Sequence, residues 1–216
     1  MRFGQIDFSA SALSYMSAGD EARGRMRCER LAGRVKEEFE ELMRIPRRAT
    51  EAFPPIKPWL PAKVEALLDI GCGLGGIDIY LARHYDPVTV HLMDGDGKIE
   101  NRAVGFLQGT QAWADVRVAE DLVRDNVPAS CVVVSHVADP SLTLPVDLIV
   151  SLKSWAHHYP AKVYMGLAKR SLRPGGRIIV DVRKNTDGEA AFNKAGFKRV
   201  GRVAENKKCE RLVFER

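Results

Sequence analysis

Long hydrophobic runs are missing from this chain: no apolar stretch in its 216 residues approaches the roughly 20 that a membrane span requires. The first residues, MRFGQIDFSASALSYMSAGDEARGR, carry neither a long apolar core nor a signal-type cleavage pattern, so a cytoplasmic location is expected. Cysteine is scarce. Cys28, Cys72, Cys131 and Cys209 are the four, and no two stand at CxxC or metal-ligand spacing. This excludes a disulfide framework and a zinc site built on cysteine, and reads as small buried thiols in a reducing compartment. A dominant charge is also absent. Lys and Arg number 33 against 28 Asp and Glu, a net +5 that permits an anionic or nucleic-acid partner without demanding one. There is no internal repeat and no low-complexity tract.

What is present is an alternation. Residues 1–20 are small and polar with scattered aromatics and read as an irregular arm. From Asp20 to Arg44, Leu31, Val35, Phe39, Leu42 and Met43 recur at three- and four-residue steps, the pattern of an amphipathic helix that docks on a larger body. Five prolines between 46 and 61 predict a stiff connector without regular structure. The domain proper is therefore expected over 61–216, behind an extension over 1–60. Within it, strands are expected at 63–70, 88–93, 131–137, 146–152 and 176–183, with helices at 76–84, 97–108, 160–172 and 187–195. The segment 116–123 fits either type. FKRVGRVA and KCERLVFE predict a terminal antiparallel hairpin. Unbroken apolar strands separated by helices imply a mostly parallel sheet covered on both faces.

The strongest local signal is LLDIGCGLGG, 67–76, which follows a predicted strand and opens a predicted helix. Gly71, Gly73 and Gly75 leave the main chain bare for a ligand at the carboxyl ends of the strands, with Cys72 inside the turn. The spacing departs from the G-x-G-x-x-G of dinucleotide sites. Asp69, two residues before the first glycine, suits a ligand bearing a cation and offers a pyrophosphate nothing. Asp94, in HLMDGD, ends the second strand about 20 residues later, where an acid hydrogen-bonds a ribose diol. Gly95 and Asp96 adjoin it, and Asp96 is the alternative reader.

Together these motifs resemble the class I S-adenosylmethionine-dependent methyltransferases. DIGCGLGG is similar to the family's first motif, LMDGD to its acidic second motif, and SLRPGGRIIVDVR, 171–183, to its late motif. The resemblance covers 63–183. It implies an α/β Rossmann-like sheet of seven strands, mostly parallel with an antiparallel C-terminal strand and helices on both faces. It implies S-adenosylmethionine as cofactor, S-adenosylhomocysteine as product, and in-line displacement at the sulfonium methyl. In the family a residue ending strand three lies near the adenine; here His136, Val137 and Asp139 are the alternatives.

SLKSWAHHYP, 151–160, follows the fourth strand, and the acceptor is expected there, with Ser151 at the cofactor's side of the loop. A hydroxyl acceptor must lose its proton, and a neutral imidazole removes it at physiological pH. The loop is similar to the Ser-Trp-x-x-His-Tyr/Phe-Pro stretch of bacterial sugar O-methyltransferases, which makes His158 the candidate base and His157 the lesser one. Either histidine can instead be an inert helix-entry residue. Trp155 and Tyr159 can stack on an acceptor or pack in the core. Lys153, Arg183 and Lys184 can hold an anionic acceptor, stabilise an oxyanion, or simply face solvent.

Further absences narrow the reading. No Asn/Asp-Pro-Pro-Tyr/Phe run follows strand four, against exocyclic-amine methylation of nucleic acid, and no Pro-Cys nucleophile is there for cytosine chemistry. Asp147 precedes strand four's apolar run, and no metal site is expected. The favoured reading is methylation of a small-molecule or saccharide hydroxyl by a monomer or homodimer. An RNA methyltransferase using the basic KRVGRVAENKKCER tract, and a catalytically silent cofactor- or partner-binding domain, are the alternatives.

Overall fold

A computed structural model describes residues 2–3, 6–7, 44–96 and 115–216. Arg2–Phe3 pairs antiparallel with Ile6–Asp7. The main body comprises α1 (Arg44–Ile56), β1 (Ala66–Ile70), α2 (Gly76–Tyr85), β2 (Thr89–Asp94), α3 (Val116–Arg124), β3 (Val132–Val137), β4 (Val146–Ser151), α4 (Lys162–Ser171), β5 (Leu172–Arg183), α5 (Gly188–Lys194), β6 (Lys198–Glu205) and β7 (Cys209–Glu215). The helix expected at 97–108 lies outside the described residues, as does the one expected at 20–44 apart from Arg44. No helix among the described residues is long and apolar enough to cross a membrane.

The seven strands form one sheet in the order β3-β2-β1-β4-β5-β7-β6. The first five are parallel, and β7 inserts antiparallel between β5 and β6. β1 is buried along its whole length, and its alternating side chains feed two cores. Leu67, Leu148, Ile179 and Val213 face α1, α2 and α3, together with Ile56, Leu81 and Leu122. Leu68, Ile149, Ile178 and Phe214 face α4 and α5, with Leu167 and Phe192. Each fully buried Leu or Ile in these layers contributes roughly 2 kcal/mol. The chain winds outward from β1 to β3, then returns to β4 on the other side of β1. The carboxyl ends of β1 and β4 therefore flank the topological switch point, where open α/β sheets bind ligands.

Two sequence expectations change. The proline-rich connector is largely helix: α1 runs through Pro54 and Pro55. Pro46 sits in the first turn, where an N–H has no intrahelical partner to lose. The two later prolines cost helix stability, but Ala52, Phe53 and Ile56 form a stripe that packs into the first core. Phe53 stacks on Tyr80 of α2 with ring centroids 5.6 Å apart, and Thr50 Oγ1 lies 2.8 Å from the Tyr80 hydroxyl. Docking overrides propensity here. The ambiguous segment at 116–123 is a helix. Asp115 caps it by accepting from the Arg117 N–H at 3.0 Å.

Candidate functional site

The glycine turn joins β1 to α2 with Gly71, Gly73 and Gly75 all at positive φ, 78°, 61° and 71°. Its backbone is tied to the neighbouring strand: the Gly71 and Cys72 N–H groups both donate to the Met93 carbonyl, at 2.7 and 3.2 Å. A Cβ on Gly71 would collide with Ser154, and one on Gly75 would meet Val123 of α3 at 2.4 Å. A Cβ on Gly73 would meet nothing within 4 Å, so here the bare main chain borders open space.

Asp94 closes that space from β2. One of its oxygens accepts from the Gly73 N–H and the other from the Gly95 N–H, each at 2.7 Å. Burial pushes this carboxyl up to about 6, and the two N–H groups pull the other way. With both oxygens fixed by amides, the remaining lone pairs have a set direction, as recognition of a diol requires. Asp96 bridges to Asp115 just beyond, at the exit from the strand.

Asp69, near the end of β1, is 2% exposed, and one of its oxygens has no hydrogen-bond partner. Burial first, then the charges of Asp78 and Asp94, hold its carboxyl well above the carboxylate range. Cys72 is likewise raised by burial and by these carboxylates, which keeps it an unreactive thiol. A buried carboxylate with an orphaned oxygen beside a bare backbone fits a cationic, phosphate-free nucleoside and opposes a pyrophosphate.

At the end of β3, Val137 is 50% exposed and lies in register with Asp94. His136 turns to the other face, its Nε2 3.1 Å from His91 Nδ1. Asp139 accepts from the N–H and hydroxyl of Ser141, both at 2.8 Å, and so stabilises its own turn. Of the three residues weighed for the adenine, Val137 is the one presenting open apolar surface beside Asp94.

The loop after β4 is a tight knot. The carbonyl of Ser154 accepts from the N–H groups of His157, His158 and Tyr159, at 3.2, 2.8 and 3.1 Å. Ser151 is fully buried: its hydroxyl donates to the Ile70 carbonyl at 2.6 Å and accepts from the Trp155 N–H at 2.9 Å, clamping the loop to the end of β1. Trp155 belongs to the core, with its Nε1 donating to the Ala161 carbonyl at 2.7 Å and its ring 4.8 Å from Phe192. Lys153 and Ala156 hold positive φ, 64° and 62°.

The knot rests on β5 through the Arg183 N–H, which donates to the Ala156 carbonyl at 2.9 Å. His157 is 7% exposed with Nδ1 unpartnered, and burial together with His158 drives it down to about 4. His158 is half-buried and lies 4.6 Å from the His157 ring. Burial lowers it, and the cations of Arg183, Lys153 and Lys208 lower it further, so the imidazole is neutral at physiological pH. Lys184 pairs with Glu205 instead. Beneath the histidines, Asp181 is 1% exposed and takes both Nε and Nη2 of Arg211, at 2.8 and 3.0 Å.

Sequence reasoning named most of this constellation but missed Asp78, Ser154 and Lys208. Asp78 reads as an ordinary acid in a helix's first turn, and Ser154 and Lys208 reach the site only through tertiary packing. The shallow hollow lined by Lys63, Glu65, Asp147 and Arg173 lies at the opposite, amino-terminal edge of the sheet. Among the described residues, no group of three or more His, Cys, Asp or Glu is placed to hold a metal ion.

Neither a protein-family model nor a curated protein sequence matches the chain. Solved structures do. The S-adenosylmethionine-dependent methyltransferase SibL matches with a TM-score of 0.58 at 17% identity, over 86% of this chain and 60% of that one, so the chain spans about three fifths of SibL's length. Magnesium protoporphyrin IX methyltransferase (ChlM) from Synechocystis PCC 6803, solved with bound S-adenosylhomocysteine, matches with a TM-score of 0.57 at 15% identity, over 95% and 99%. A SAM-dependent methyltransferase from Aquifex aeolicus matches with a TM-score of 0.53 at 16% identity, over 78% and 97%. By strand order and by these likenesses, the chain has the fold of the S-adenosylmethionine-dependent methyltransferases.

Proposed function

We propose that this chain is an S-adenosylmethionine-dependent methyltransferase acting on a hydroxyl of a small molecule or saccharide. The observation that carries the reading is the Asp94 carboxylate, fixed by the Gly73 and Gly95 amides on the open side of the glycine turn, with the orphaned oxygen of Asp69 close behind. Asp94 holds the ribose diol, Asp69 the ammonium of the methionine tail, and Val137 the adenine face. Bound there, the cofactor supplies an electrophilic methyl on its sulfonium sulfur.

The protein's own contribution lies on the post-β4 loop. His158, neutral and half-buried, accepts the acceptor's hydroxyl proton as the oxygen attacks. Lys153 and Arg183 favour the oxyanion character that develops on that oxygen. His157 supports the ring of His158 from below and, at about 4, adds no titration near neutrality. The test is transfer of labelled methyl from S-adenosylmethionine to a panel of hydroxylated acceptors. Turnover that His158→Ala abolishes, with S-adenosylhomocysteine affinity intact, supports the assignment. Turnover that survives this substitution rejects His158 as the base.

A further inference from the structure

The least satisfied groups among the described residues lie under the glycine turn. Asp78, in the first turn of α2, is fully buried, and neither of its carboxylate oxygens has a hydrogen-bond partner. Its neighbour is Asp69, buried to 2% exposure with an orphaned oxygen of its own. Two carboxylates cannot donate to each other. They become partners only when one carries a proton or when a donor-bearing cation joins them. Leaving both ionised and unpaired in this interior would cost several kcal/mol.

Among the described residues, the groups facing the pair give no alternative cation. Asp94 approaches from β2 and the Cys72 thiol from the turn, and every charge acting on Asp69 is a carboxylate. α3 meets the turn with Val123 and the Ala119 carbonyl at Gly75. The pair thus needs one positive charge, and an ammonium with three N–H donors is the chemistry that matches it.

We propose that Asp78 is a positioning residue for the cofactor: in the free protein it shares one proton with Asp69, and binding of the nucleoside's ammonium to Asp69 sends that proton to solvent. This rests on the cofactor reading above and adds to it a residue and a proton balance. One carboxylic O–H bond breaks, the proton passes to buffer, and the ammonium's N–H groups take over the orphaned lone pairs. No electrons move. Burial holds Asp78 at about 7, which places the exchange in the neutral range.

The test is calorimetric titration of the full chain with S-adenosylhomocysteine near neutrality, in phosphate and in imidazole buffers of different ionisation enthalpy. The expected result is release of close to one proton a pH unit below the Asp78 value of about 7 and about half a proton at it, with affinity rising roughly tenfold per pH unit while the free pair still holds its proton and levelling off above. In Asp78→Asn the amide donates permanently to Asp69, so release should fall near zero and affinity should become flat with pH above the Asp94 value of about 6. Identical enthalpies in both buffers for the unaltered protein would overturn the proposal, as would undiminished release by Asp78→Asn. Should that variant fail to fold, the buffer comparison on the unaltered protein decides it. Absence of any binding at every pH is a separate outcome, and it removes the cofactor reading together with this one.

Discussion

Gly71 and Ser154 compete for one volume: a Cβ built on Gly71 would fall 1.9 Å from Ser154 Oγ. The contact joins the glycine turn after β1 to the knot after β4, so the proposed cofactor and acceptor sites share a wall. Gly71→Ala must both hold φ at 78° with a side chain, which costs about 1–2 kcal/mol, and push the knot outward. The expected outcome is a lower melting temperature and at least a tenfold loss of S-adenosylhomocysteine affinity, read by calorimetry. An Ala variant that binds as tightly as the unaltered protein would show that the wall is soft.

Asp94→Ala removes the acceptor of two backbone N–H groups and, on the proposed reading, the hold on the ribose. Hydrogen bonds to a charged group contribute about 1.5–3 kcal/mol, so affinity should drop on the order of 10- to 100-fold. Asp96→Ala separates the two candidate ribose readers. It should leave affinity within about threefold, as expected for a residue that does not hold the diol.

His158 sets a pH dependence. Its pKa lies below its usual 6.5, so the neutral base is present above that value and is lost as pH falls through it. The rate should therefore be flat above neutrality and decline on the acid side. His158→Ala should lower kcat by about 10²- to 10⁴-fold and erase the acid limb. His157→Ala should leave the limb in place, since His157 titrates near 4.

The aspartate pair makes its own stability signature. An acid whose folded pKa is raised keeps its proton where the unfolded chain has lost it, so stability declines as pH climbs toward the folded value. Asp78 spans the window from 3.8 to about 7. The five histidines described here shift the opposite way below 6.5, which masks this in the total. The difference between Asp78→Asn and the unaltered protein isolates it. The variant should gain on the order of 1 kcal/mol per pH unit across that window, measured by urea unfolding without cofactor.

Strands β1 to β5 are legible because each carries a mainly apolar run between turn residues, and the glycine turn is legible because a strand and a helix frame it. α1 is not, since Pro54 and Pro55 argue locally for a break and only docking of Ala52, Phe53 and Ile56 reverses that. The Val116–Val123 stretch begins with a period of two and continues with a period near four, and the cap from Asp115 settles it. In the site, Asp94 and His158 stand out by motif. Asp78 does not, because a lone acid in a first helical turn is commonplace and its burial against Asp69 is a matter of packing.

Breaking the Asp181–Arg211 pair tests the floor under the histidines. Asp181→Ala leaves the Arg211 guanidinium without its buried partner and should cost about 3–5 kcal/mol. Arg211→Met should be equally destabilising, because it strands the carboxylate. Thermal melts read both.

Competition calorimetry reaches the central claim most directly: S-adenosylhomocysteine and NAD titrated in turn against the same preparation. The account predicts one-to-one binding of S-adenosylhomocysteine that Asp94→Ala weakens, and no heat from NAD. Saturable binding of NAD, with none of S-adenosylhomocysteine, would contradict it.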